Sequence, residues 1–173
     1  LLYTQAIMQG KLVDAYEEIA KGKKTLIFNA GILTSRAVYE TFKAKGYPIK
    51  HLDSTFSDKD RADTLDWFRK TKDGILTSVS ILTTGFDEPE VETIILNRAT
   101  KSLTLYHQMI GRGSRVLPNK KTFNIVDLGN NSRRFNLWQY PIDWKHVFAA
   151  PHLYLEQRYK DCLLYTSQSP RDK

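Results

Sequence analysis

The apolar positions of this chain fall into short runs that alternate between two periods. Leu12, Ala15, Tyr16, Ile19 and Ala20 recur at helical spacing and stop at Gly22, which predicts a helix with one apolar face. Thr25-Leu26-Ile27-Phe28 comes next as an unbroken apolar run, read as a strand covered on both faces. After a turn over Asn29 to Leu33, Thr34 or Ser35 is placed to cap a helix reaching about Lys45. That helix turns Val38 and Phe42 inward and stops at Gly46. Pro48 then introduces a strand over Ile49 to Leu52. Ser57 and Asp60 stand at capping-box spacing, opening a helix with Ala62, Leu65 and Phe68 on one face. Further strands are predicted at Ile75 to Val79, Thr93 to Leu96 and Phe123 to Leu128, with a helix from Leu103 to Ile110 between the last two.

Strands alternating with helices at intervals that suit right-handed crossovers imply an α/β fold: a parallel sheet of about five or more strands with helices on both faces. The pattern stops after Gly129. Residues 1–129 are therefore read as one domain. Residues 130–161 mix Phe135, Trp138, Tyr140 and Trp144 with proline and charge, and read as a C-terminal appendage. Residues 162–173 show no periodicity and read as an unstructured or non-native tail. The first residue is Leu1 rather than Met, so a fragment of a longer protein is expected.

Composition narrows the classes. A hydrophobic content of 41% with 12% aromatics excludes a disordered chain. The net charge of +7 suits a polyanionic partner. A single cysteine, Cys162, excludes a disulfide framework and points to a reducing, cytoplasmic setting. Histidines 51, 107, 146 and 152 are scattered, so no metal site is expected. No apolar run approaches the ~18 residues of a membrane span, and no membrane partner is expected.

Chemistry concentrates in Gln108-Met109-Ile110-Gly111-Arg112-Gly113-Ser114-Arg115. Two arginines three residues apart present two planar, permanently charged forks, which suit the charge that develops on a transferring phosphoryl group. In open parallel sheets ligands bind at the carboxyl ends of strands. The loop after Phe28, the loop after Val79 and the arginine segment are all expected along that one edge.

Gln-x-x-Gly-Arg-x-x-Arg resembles motif VI of superfamily-two helicases, and Ile75 to Pro89, containing Thr83-Thr84-Gly85-Phe86-Asp87, is similar to their motif V. Thr25 to Ala30 stands where motif IV would, and Asp53-Ser54-Thr55 with Arg61 and Phe68 resembles the segment between motifs IV and V. The resemblance runs from about Lys11 to Gly129. It is nearest the repair and restriction-type group, and implies the second RecA-like domain. Thr84 departs from the Glu often found there. Gln108 replaces the His of DEAD-box proteins, which argues against a strict DEAD-box RNA helicase.

The resemblance implies roles residue by residue. Arg112 and Arg115 would be arginine fingers toward the γ-phosphate, and Gln108 would hold Arg112 or the nucleotide. Gly85 would let the backbone approach the nucleotide phosphates, and Asp87 would accept from the ribose hydroxyls. Asn29, Ser54, Ser80 and Thr83 would contact the nucleic-acid backbone, with Lys101 and Arg98 adding basic character. DNA is favoured over RNA.

No Gly-x-x-x-x-Gly-Lys-Ser/Thr and no Asp-Glu-x-His or Asp-Glu-Ala-Asp segment occurs in these residues. The expected cofactors, ATP and Mg²⁺, would be bound mainly by a preceding RecA-like domain in cis, and this chain is expected to be inactive alone. Two function classes remain. One is the second motor domain of an ATP-dependent helicase or translocase. The other is a RecA-like module that binds nucleic acid or a partner without turnover. The paired arginines favour the motor domain.

Overall fold

The computed structural model describes residues 2–79 and 86–151, with side chains from residue 9 onward. Two compact units divide the chain, Leu1–Gly129 and Asn130–Lys173. The first opens with α1 (Leu2–Ala15), which runs on into a π-helical turn at Tyr16–Ala20. It continues through β1 (Thr25–Asn29), α2 (Ile32–Ala44), β2 (Ile49–Leu52), α3 (Asp58–Lys70), β3 (Ile75–Ser78), β4 (Thr93–Asn97), α4 (Leu103–Gly111) and β5 (Asn124–Asp127). The described part of the second unit holds two short helices, α5 (Asn131–Phe135) and α6 (Trp144–Ala149).

All five strands are parallel, in the order β2-β3-β1-β4-β5. β1 is central, and all five of its residues are buried, as a strand covered on both faces must be. Register places Ile27 beside Thr77 on one side and Ile95 on the other. With Ile49, Ile75 and Val126 these residues form one face, against which Leu12, Val13, Tyr16, Ala20, Val38 and Phe42 pack. The alternate positions Leu26, Phe28, Leu76, Ile94 and Leu96 form the other face and are also fully buried. Right-handed crossovers running in opposite directions along the strand order place α2 on the first face, and α3 and α4 on the second. The expected α/β architecture is the one observed.

Two local expectations are corrected. Gly31, not Thr34 or Ser35, is the N-cap of α2, because Ser35 lies one turn inside the helix with its hydroxyl committed to a buried side-chain partner. Ala62 is exposed, so the inward stripe of α3 is Thr64 and Phe68 with Leu65 partly covered. The Ser57 cap holds: its oxygen accepts from Asp60 N at 3.2 Å and its hydroxyl donates to Asp60 Oδ2 at 2.6 Å.

Candidate functional site

The arginine turn is built by α4 and the residues immediately after it. Ser102 caps the helix by accepting from Leu105 N at 3.1 Å. Leu103, Tyr106, Met109 and Ile110 bury the apolar stripe, which leaves Gln108 partly exposed. Gly113 then brings the backbone hard against β4: a Cβ there would lie 2.7 Å from Phe123 Cδ2 and 2.9 Å from Ile94 Cγ1. From this turn Arg112 Nη1 donates to the Phe86 carbonyl at 2.6 Å, and Arg115 Nε faces Asp87 Oδ1 at 3.2 Å. Both members of the Arg115–Asp87 pair are more than half exposed (57% and 59%), so this guanidinium is within reach of a ligand. Three expected site residues are thereby brought together from segments distant in sequence.

A third cation closes the same region. Leu117-Pro118-Asn119-Lys120 doubles back on itself, Lys120 N donating to Leu117 O at 3.0 Å. The Lys120 ammonium is buried and donates to Gly113 O and Pro89 O, each at 2.8 Å. Burial pushes its pKa down, opposed by Glu92 and Glu88. Lys24, also buried, donates to Arg69 O at 2.9 Å and pairs with Glu90 Oε2 at 3.1 Å beside the same segment.

At the opposite, carboxyl ends of the strands lies a continuous polar chain. Asn97 Nδ2 donates to Asn29 Oδ1 at 2.8 Å, and Asn29 Nδ2 donates to Thr77 Oγ1 at 2.8 Å. Thr77 Oγ1 meets Ser35 Oγ at 3.0 Å, Ser35 Oγ meets His51 Nδ1 at 2.9 Å, and His51 Nε2 meets Asp53 Oδ2 at 2.8 Å. Arg36 Nη2 reaches the same carboxylate oxygen at 3.2 Å from an exposed position, while Thr55 donates to Oδ1 from its backbone N at 2.8 Å and from its hydroxyl at 2.5 Å. Burial works against ionisation of Asp53, but hydrogen bonds from Thr55 and His51 outweigh it and hold the carboxyl well below the usual carboxylate range.

The expected single edge therefore resolves into two. Residues 86–92 lead into the amino end of β4, and residues 112–123 lead into the amino end of β5. Asn29 ends β1, and Asp53 and Ser54 come directly after β2, at the carboxyl ends. The correction lies in the chain path: α4 carries the backbone from the carboxyl end of β4 to the amino end of β5, and the arginines come after it. Asn29 is fully buried with its amide engaged across three strands, so it orders the edge from within rather than facing outward. Ser54 is exposed in the turn after β2. Gly85, Ser80 and Thr83 lie outside the described residues. Among the described residues no group of His, Cys, Asp and Glu could hold a metal ion, and no helix is long and apolar enough to cross a membrane. Sequence reasoning assigned no role to His51, Asp53 or Lys120. Only the Pro118-Asn119 turn signal hints that Lys120 folds back.

Comparison with known proteins decides the family. The model of the helicase conserved C-terminal domain matches residues 8–116. The chain belongs to that family. It has the RecA-like α/β fold of helicase C-terminal domains. A 51.5 kDa protein of a Lactococcus phage is 30% identical over 141 residues, covering 82% of this chain and 31% of that protein. The Type I restriction enzyme EcoKI endonuclease subunit of Escherichia coli is 32% identical over 126 residues, covering 65% of this chain and 11% of that protein. The solved C-terminal domain of the DEAD-box protein Dbp5 superposes with a TM-score of 0.62 at 22% identity, covering 75% of this chain and 74% of that one. The chain thus spans less than a third of the length of these two curated relatives.

Proposed function

We propose that this domain is the second motor domain of an ATP-driven helicase or translocase, in which Arg112 and Arg115 complete an ATP site from across a cleft. The convergence of Arg112, Arg115 and Asp87 on one turn, with the Arg115–Asp87 pair open to solvent, carries this reading. A guanidinium already paired with a carboxylate can exchange that partner for a phosphate, which offers the same fork-shaped acceptor geometry. The P-loop and the Mg²⁺ ligands would come from a preceding RecA-like domain in cis. Gln108, one turn before Arg112 on the partly exposed side of α4, would hold the arginine or the nucleotide. Asp87, freed from Arg115 in the complex, would accept from the ribose.

The carboxyl edge would carry the second ligand, a nucleic-acid strand, with DNA favoured by the motif V resemblance. Ser54 is the exposed donor there. Asn29 would act indirectly, by fixing the ends of β1, β3 and β4 beneath the strand. Two ligands at two ends of one sheet fit a motor, where turnover at one end has to be felt at the other. A binding module that does not turn over ATP would need no arginine pair at the far end.

The arginines provide the test. In a protein carrying this domain together with the P-loop domain, Arg112→Ala and Arg115→Ala should each lower kcat for ATP by about 10³- to 10⁵-fold. Nucleic-acid affinity should be nearly unchanged, because the fork is matched to charge that appears only in the transition state. Lysine at either position should restore little, since an ammonium does not reproduce the planar fork. Near-normal kcat in both alanine variants would remove the assignment.

A further inference from the structure

To turn toward a phosphate across a cleft, the two arginines would leave the partners they hold at rest. Arg112 would give up the Phe86 carbonyl and Arg115 would give up Asp87. Those two contacts also tie residues 86–87 to residues 112–115. Their loss would loosen both segments at the moment their placement matters most.

Lys120 supplies a tie that does not depend on the arginines. Its ammonium bridges Gly113 O and Pro89 O at 2.8 Å each, and so joins the residue after Arg112 to the second residue after Asp87. It is buried, and the bond to Gly113 is buried with it. Removing an ammonium from water is costly, and two charge-assisted hydrogen bonds offset that cost only if both carbonyls stay in place. The geometry therefore penalises any outward movement of Gly113. Movement inward is blocked by Phe123 and Ile94, which leave no room even for a methyl group. Gly113 is held between an apolar floor and a cationic roof. The tight turn at residues 117–120 brings the roof into position.

We propose that Lys120 is a positioning residue for the catalytic arginines: a buried ammonium that keeps the arginine turn in register with residues 86–89 after Arg112 and Arg115 have turned to the nucleotide. The inference rests on the arginine reading above. Lys120 itself touches no ligand in this scheme.

The test uses the same two-domain protein and compares Lys120→Met, which keeps the aliphatic stem, with Lys120→Gln, which keeps one donor group, and with Arg112→Ala. A misplacement of about 1 Å at a reacting centre can cost on the order of 10²-fold in rate, and that is the expected loss of kcat in Lys120→Met. The KM for ATP should change less than kcat, because the arginines are matched to charge that appears only in the transition state and Asp87 alone would meet the ribose in the ground state. Lys120→Gln should lie between Lys120→Met and the unaltered protein. Amide hydrogen exchange should quicken at residues 111–117 and not in the central strand β1. Arg112→Ala separates the two ideas. If it abolishes turnover while Lys120→Met and Lys120→Gln keep normal kcat, the role of Lys120 is overturned and the arginine reading stands. If Arg112→Ala leaves kcat normal, the arginine reading fails for Arg112, and the role of Lys120, which acts through the residue next to it, is overturned with it. If kcat falls only in step with melting temperature across the two Lys120 variants, or exchange quickens throughout the domain, Lys120 is a stability residue and the proposal is overturned. Should Lys120→Met not fold, Lys120→Gln carries the same comparison.

Discussion

Asp53 shows how much one side chain at the carboxyl edge depends on its neighbours. Its carboxylate receives Thr55 twice, His51 once and Arg36 once, while its side chain is wholly buried. The folded carboxyl is consequently more acidic than the unfolded one. Its contribution to stability is complete above the unfolded value of about 3.9, and drains away as pH falls below that value toward the folded one. Chemical unfolding at pH 7 and at pH 3 should therefore show a larger acid loss in the natural sequence than in Asp53→Asn. Equal losses would mean that Asp53 is not the group whose protonation loosens this edge. This network is not legible in the sequence. Asn29 and Asn97 meet only because the parallel register aligns residues 68 apart, and the Ser35 hydroxyl suits a helix cap until its cross-strand partners are known. The arginines are legible because guanidinium spacing within one turn is a local property.

Elements are the most readable level: β1, β3 and β4 announce themselves by consecutive apolar residues, and β2, Ile49-Lys50-His51-Leu52, by the Pro48 that introduces it. Their order in the sheet, and hence which loops share an end, is a tertiary matter, and it is there that the expected single edge gives way to two. The arginine turn illustrates the difference. Its sequence contains Gly111 and Gly113 two residues apart, yet only Gly113 lies against the sheet, while a Cβ on Gly111 would meet nothing within 4 Å. Gly113→Ala should destabilise the domain by about 1–3 kcal/mol, the usual cost of forcing a methyl into a packed site, and Gly111→Ala should not share that cost. Thermal melts of the two variants measure the contrast. Equal midpoints would show that the turn can lift away from Phe123 and Ile94 at little cost, and would weaken the case for a rigidly held arginine pair.

At the scale of the whole chain, net charge bears on the proposed nucleic-acid partner. The net charge of +7 favours a polyanion, and on the proposed reading one domain of two would supply only a few phosphate contacts. Binding of single-stranded nucleic acid by this chain should weaken with salt, with a log–log slope on the order of −2 to −3. A titration at several salt concentrations reads the slope. Binding that ignores salt would argue against backbone contacts at the carboxyl edge.

The central position of β1 has a consequence for how the domain comes into being. β1 is made early, yet the strands that flank it are β3 and β4, whose pairing residues Ile75 and Thr93 lie 50 and 68 positions downstream of Thr25. Loop-closure entropy has to be met before such distant pairings return any stability, which makes parallel sheets of this kind slow to assemble. A nascent chain that has emerged only as far as Pro89 carries its fully buried central strand with one side open, a ready template for another copy. The central strand is thus, during synthesis, the segment most in need of shelter, and the appearance of β4 is the event that ends the exposure.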